Sequence, residues 1–171
     1  MTTIAYRAHP GGGGIMASDS RCSDNGLHLT DCQKVFRLPN GALLGTAGDD
    51  DSRLVMALLG KARSPKSLPS REELASTKTD FAGIMVFKTG EVFNIRIECV
   101  ERQNSDEWDG GISEIRTPFC ATGSGWELAI GAMSAGASAI EAVRVSCKYD
   151  LYSALPVQSM ELKEPTRRSR K

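Results

Sequence analysis

At 171 residues the chain has room for one domain with a sizeable core, and 40% apolar with 25% charged residues is an ordinary globular composition that excludes disorder. Its 21 lysines and arginines balance 21 aspartates and glutamates, so the fold as a whole exerts no pull toward nucleic acid, and no apolar stretch approaches the ~18 residues that argue for a membrane span. Cys22, Cys32, Cys99, Cys120 and Cys147 form an odd set with no CxxC pair. They read as free thiols in a reducing compartment, and with a start that lacks a signal-peptide core this points to the cytoplasm.

Two short extended runs, 2–8 and 15–20, flank His9-Pro10 and four glycines, a strong hairpin signal. A flexible hairpin is preferred to a phosphate loop there, because no Lys-Ser or Lys-Thr follows the glycines. After a polar turn at Asp24-Asn25-Gly26, residues 34–38 and 42–47 read as two more strands around an Asn-Gly turn. Asp49, Asp50, Asp51 and Ser52 then lead into a helix over 53–61. That helix is apolar nearly all round, so it should be covered on more than one side. Residues 64–80 offer at most a short helical turn at Ser70-Arg71-Glu72-Glu73.

Residues 81–88 and 91–98 alternate around Thr89-Gly90 as a further hairpin, and Trp108-Asp109-Gly110-Gly111 marks a loop. A short strand over 118–122 is followed by a helix from Gly123-Ser124-Gly125 to about Ala135, a helix over 137–150 and a strand over 157–162. Hairpins rather than βαβ crossovers argue for an α+β chain of antiparallel sheets with helices in blocks. Residues 1–165 read as a single domain and 166–171 as a solvated basic tail. His9 and His28 stand alone, without a triad or zinc context, and Trp108 and Trp126 read as packing residues.

Thr2-Thr3-Ile4, Ala17-Ser18-Asp19-Ser20-Arg21, Lys34-Val35, Gly45-Thr46-Ala47-Gly48, Gly123-Ser124-Gly125 and Asp150-Leu151-Tyr152-Ser153 stand in an order and spacing that resembles proteasome β-subunits and the HslV peptidase. No single block is specific, but together they span nearly the whole chain. The resemblance implies the N-terminal-nucleophile hydrolase fold, a four-layer αββα sandwich of two antiparallel sheets flanked by helices. The family's second helix is shortened here, because 64–80 cannot supply it.

A threonine hydroxyl is a poor nucleophile unless a base adjoins it, and at a chain terminus its own α-amine, with a reference pKa of about 7.7–8.0, can serve. The resemblance makes Thr2 that residue once Met1 is removed. It makes Lys34 the ammonium beside it, Asp19 the partner of Lys34, and Gly48 the donor to the oxyanion. It adds Ser124, Asp150 and Ser153 as a supporting proton network. Gly48 is equally what a plain strand-to-helix turn would carry. Ser124 and Glu127 are also spaced as a capping box, whereas Asp150 at a helix C-terminus is unfavourable for the helix dipole.

The same likeness places a substrate pocket at Cys22, Cys32, Phe36, Thr46 and Asp50. It needs no cofactor, with a monovalent or divalent cation on the backbone carbonyls of Cys147, Asp150 and Ser153 as an option. It further implies a threonine endopeptidase for unfolded polypeptides, assembled with copies of itself as a ring or double ring and served by an ATPase unfoldase. No nucleic acid or membrane partner is expected. Two other readings stay open: a structural homologue that acts by assembly, and an amidohydrolase of small amides, since one fold carries several functions.

Overall fold

The computed structural model describes residues 2–24, 27–29, 31–48, 52–102 and 105–163. The basic tail from Arg167 and the turn residues Asn25 and Gly26 lie outside them, as do Asp49, Asp50 and Asp51.

Strands β1 (Thr3–Ala8) and β2 (Gly14–Ser18) form the first hairpin, and β10 (Phe119–Gly123) and β11 (Gln158–Leu162) flank it in the order β10-β1-β2-β11, all antiparallel. A second antiparallel sheet runs β5 (Val35–Arg37), β6 (Leu43–Gly48), β7 (Phe81–Val86), β8 (Val92–Arg102) and β9 (Ser105–Ile115) in chain order. Between β2 and β5 the short strands β3 (Cys22–Asp24) and β4 (Leu27–Leu29) pair with each other. Sequence reading took that stretch for a turn, because three-residue strands are too short to show alternation.

The period of two along β1 and β2 sorts their side chains into two layers. Ile4, Tyr6 and Met16 point between the sheets, where they join Val35, Leu43, Ile84, Val86 and Leu162. Ala5 and Ala17 point outward and let α3 (Trp126–Ser134) and α4 (Ala139–Tyr149) approach through Ala129, Met133, Ala142 and Val143. On the far side of the large sheet Leu44, Phe81, Met85, Ile95 and Ile97 meet Val55 and Leu59 of α1 (Arg53–Lys61) and Leu74 of α2 (Arg71–Ala75). The layers are therefore α3/α4, four strands, five strands, and α1/α2, the expected four-layer sandwich. The short α2 is fixed by a Ser70–Glu73 capping box, and a single 3₁₀ turn precedes it.

Four expectations need correction. Helix α1 buries only Val55 and Leu59, and Leu54 stays 58% exposed, because one face alone meets the sheet. No cap bond is made by Ser124: the N-cap of α3 is Gly125, and the Ser124 hydroxyl turns to Asp150 instead. The capping box lies one helix later, at Ser138 and Glu141. Trp126 is 47% exposed rather than packed, while Trp108 does pack against the core.

The fourth concerns Trp108 to Gly111, which belong to β9 and not to a loop. Gly110 is there because α2 crosses the sheet at that point: a Cβ would lie 2.7 Å from Leu74 Cβ and 2.9 Å from the Arg71 carbonyl oxygen. Glycine inside a strand marks such a close approach. Gly110→Ala is therefore expected to cost about 1–3 kcal/mol through overpacking, read as a lower urea midpoint at unchanged slope.

Candidate active site

Five elements converge where β1 begins. Asp19, fully buried, follows β2, and its Oδ1 accepts the backbone N–H of Thr3 at 2.9 Å and the Lys34 ammonium at 3.0 Å. Its Oδ2 accepts Lys34 Nζ at 3.1 Å, the Arg21 N–H at 2.9 Å and the Ala154 N–H at 3.3 Å. Lys34, 5% exposed and just ahead of β5, also donates to the Arg21 carbonyl. Because one carboxylate oxygen serves both Lys34 and Thr3, the ammonium lies within two hydrogen-bond lengths of the peptide that follows Thr2. Thr2 itself is 4% exposed.

A second cluster adjoins the first. The Ser124 hydroxyl donates to Asp150 Oδ2 at 2.7 Å, and Ser153 donates to the same oxygen at 2.6 Å. Ser153 Oγ is also 2.7 Å from Thr3 Oγ1, and Ser124 Oγ lies 3.4 Å from the Thr2 carbonyl oxygen. Asp150, the C-cap of α4, thus gathers two hydroxyl donors where the helix dipole alone would disfavour it. Sequence reasoning missed Thr3 and Ala154. Strand register could have flagged Thr3, which sits opposite Gly123, but nothing local marks Ala154.

Two of the candidate-site glycines take left-handed conformations, and one of them, Gly123, lies against Thr2. Gly123 has φ +93°, and a Cβ on it would overlap the Thr2 carbonyl. Gly48 has φ +123° and sits where a Cβ would strike the Asp80 carbonyl oxygen at 2.3 Å. Either position excludes a side chain for backbone reasons alone.

Of the expected pocket residues, Phe36 is half-buried on β5, and Thr46 on β6 donates its N–H to the Lys34 carbonyl at 2.9 Å. Asp50 lies outside the described residues. Cys22 and Cys32 are brought together as a disulfide, with Cα atoms 6.0 Å apart, which corrects the expectation of five free thiols and removes its support for a reducing compartment. A different cavity, of about 460 Å³, opens between β10 and the β7–β8 pair, lined by Phe81, Asn94, Arg96, Gly123 and Trp126 among others. It exists because β10 lies over β7 and leaves the inner face of β8 uncovered, a long-range arrangement with no sequence signal. Among the described residues no three His, Cys, Asp or Glu side chains gather as a metal site.

No family model matches the sequence, and neither does any curated protein. Solved structures do. HslV from Trypanosoma brucei superposes with a TM-score of 0.68 at 16% identity, over 93% of this chain and 98% of that one. The chain has the HslV-type fold. BPH from Thiobacillus denitrificans, solved in complex with epoxomicin, gives a TM-score of 0.65 at 18% identity over 93% and 97% of the two chains. An Anbu mutant from Hyphomicrobium sp. strain MC1 gives 0.60 at 12% over 94% and 81%. Within this HslV-type fold no described helix is long and apolar enough to cross a membrane.

Burial pushes the Lys34 pKa below 10.5, and the Asp19 charge pulls it partly back. The folded state therefore sheds this proton before the unfolded chain does. The contribution of Lys34 to stability is complete above 10.5 and is lost as pH falls through its lowered folded value. In Lys34→Met that dependence should vanish, so the wild-type-minus-variant difference grows with pH up to 10.5 in chemical denaturation. At pH 7, Asp19→Asn strands a buried ammonium and should cost about 3–5 kcal/mol, whereas Asp19→Asn with Lys34→Met should recover most of that loss.

Proposed function

We propose that this protein is a threonine peptidase that cuts unfolded polypeptides, with Thr2, freed of Met1, as nucleophile and base together. The supporting observation is the shared Asp19 carboxylate, which ties the buried Lys34 ammonium to the Thr2–Thr3 peptide.

In this reading the Thr2 α-amine takes the hydroxyl proton as Oγ attacks the substrate carbonyl carbon. The neighbouring Lys34 charge disfavours protonation of the resting amine and favours the developing alkoxide. The Gly48 N–H, near the start of α1, donates to the oxyanion. The ammonium formed at Thr2 then returns its proton to the leaving amine, and water releases the acyl ester by the same route. Ser124, Asp150 and Ser153 hold and relay protons beside the Thr2 carbonyl.

Cys22, Cys32, Phe36, Thr46 and Asp50 line the substrate pocket, mixed in polarity and weak in selectivity. The carbonyls of Cys147, in the last turn of α4, and of Asp150 and Ser153 beyond it lie at the negative end of the helix dipole and suit a supporting cation. Copies of the chain form a ring or double ring, to which an ATPase unfoldase delivers polypeptides.

Epoxomicin, bound by the structurally similar BPH, is the direct probe: it should modify one site, Thr2, in protein shown by intact mass to lack Met1. Thr2→Ala should lose at least about three orders of magnitude in hydrolysis while folding normally, and Lys34→Ala should lose a comparable amount because both act in one unit. Labelling elsewhere, or near wild-type activity in Thr2→Ala, rules the mechanism out. Full retention of Met1 in native protein rules it out for that form, since an acylated Thr2 nitrogen cannot act as base. Light scattering at micromolar concentration should report a ring rather than a monomer.

A further inference from the structure

We infer that Cys22 and Cys32 are positioning residues for the Asp19–Lys34 pair, and that their disulfide is a thiol-sensitive clamp which keeps the pair assembled when oxidised and slackens it when reduced. The effect on rate rests on the peptidase reading; the effect on the pair's geometry does not.

Asp19 closes β2 and Lys34 opens β5, so the β3–β4 hairpin is inserted between the two members of the ion pair. Among the described residues that hairpin belongs to neither large sheet, and its three-residue strands pair with each other. A lone two-stranded ribbon is marginal in water, so it cannot by itself hold its two ends in register. The disulfide closes its base across ten residues.

What lies next to the disulfide matters more than the hairpin. One residue before Cys22 is Arg21, whose N–H donates to Asp19 Oδ2 and whose carbonyl accepts from Lys34 Nζ. Two residues after Cys32 is Lys34 itself. Cys32 N–H also donates to the Ser20 carbonyl at 3.1 Å, so the strap 19–21 is tied to the chain entering β5 by one covalent bond and one hydrogen bond. On its other side Ser20 is anchored to the segment after α4, through Ser20 N–H to the Ala154 carbonyl at 3.1 Å and Ser20 Oγ to the Pro156 carbonyl at 2.6 Å. Both Asp19 oxygens and the Arg21 carbonyl, which accept from the Lys34 ammonium, therefore sit on a strap whose β5 side the disulfide secures.

Both cysteines are only half-buried, so a reductant can reach them. A dithiol of the dithiothreitol class attacks one cysteine sulfur as thiolate, which expels the other cysteine as a thiolate and leaves a mixed disulfide; its second thiol then attacks the reductant's own sulfur in that bond and expels the first cysteine. The protein gains two electrons and two protons as two thiols, and the reductant leaves as a cyclic disulfide. The remaining thiols near the site do not compete for the exchange: burial pushes Cys147 up to about 11 and Cys120 up to about 12, so both stay protonated near neutral pH.

The experiment compares full-length protein freed of Met1 in three forms: untreated, treated with dithiothreitol, and as Cys22→Ser or Cys32→Ser. Amide exchange is read at Thr3 and Arg21, the two backbone donors flanking the pair, and at Ile84 and Ile95 in the centre of the large sheet as internal reference. We expect exchange at Thr3 and Arg21 to quicken about tenfold or more in the reduced and variant forms with Ile84 and Ile95 unchanged, which isolates a local opening. Hydrolysis of an unstructured fluorogenic peptide should lose about tenfold to a hundredfold in kcat in the reduced and variant forms. Equal exchange in all forms overturns the clamp, as does an equal quickening at all four amides, which would make the disulfide a general stabiliser. Alkylation of all five cysteines in untreated protein overturns it too. If the local opening is seen but no form cuts any peptide, the clamp stands and the peptidase reading falls.

Discussion

A single buried carboxylate organises this molecule. Asp19 has no access to solvent, yet it accepts bonds from Lys34, Thr3, Arg21 and Ala154, which come from four separate stretches of chain. An ionised group out of water is tolerated only when its lone pairs are met and a counter-charge is near, and both conditions hold here. The start of β1, the strap after β2, the entry to β5 and the segment after α4 are fixed together by that requirement. Hydrophobic burial alone would leave them free to slide past one another, because apolar contact is not directional.

Around this point the sandwich supplies stiffness. Ile4, Met16 and Leu43 fill the layer between the sheets just inside the polar cluster, so the charged pair is backed by close-packed side chains. The Ser124–Asp150–Ser153 group occupies the end of α4, and it meets Thr3 from the helical layer. Thr2 and Thr3 therefore stand between two acid-centred networks, one reached through the strands and one through the helices.

Much of this is legible in the residue order. Extended runs at 2–8 and 15–20 around four glycines, and alternation over 81–98, give the hairpins, and the cap-favouring residues ahead of 53–61 give α1. The collective resemblance locates Asp19, Lys34, Ser124, Asp150 and Ser153, all of which the fold brings to one end of β1. The errors share a cause, which is reading locally what tertiary contacts decide. Gly110 and Gly111 look like loop residues until α2 is laid over them, and Ser124 looks like a helix cap until Asp150 arrives from 26 residues away. Cys22 and Cys32 look like members of an odd, unpaired set because spacing carries no information on which loops meet. The uncovered face of β8 follows from how two sheets of unequal width are superposed, which no window of sequence contains.

That inequality of width has a bearing on solubility. With four strands over five, β10 is a sheet edge that overhangs Asn94 and Arg96 instead of a matching strand. An unprotected edge invites a foreign strand to continue the ladder, the first step of fibril growth. Here the newcomer would have to lie across a guanidinium and an amide and strip both of water, and it would find only five residues to pair with before Gly123 turns the backbone away. Brevity and a hydrated floor beneath it keep the β10 edge from becoming a template for aggregation.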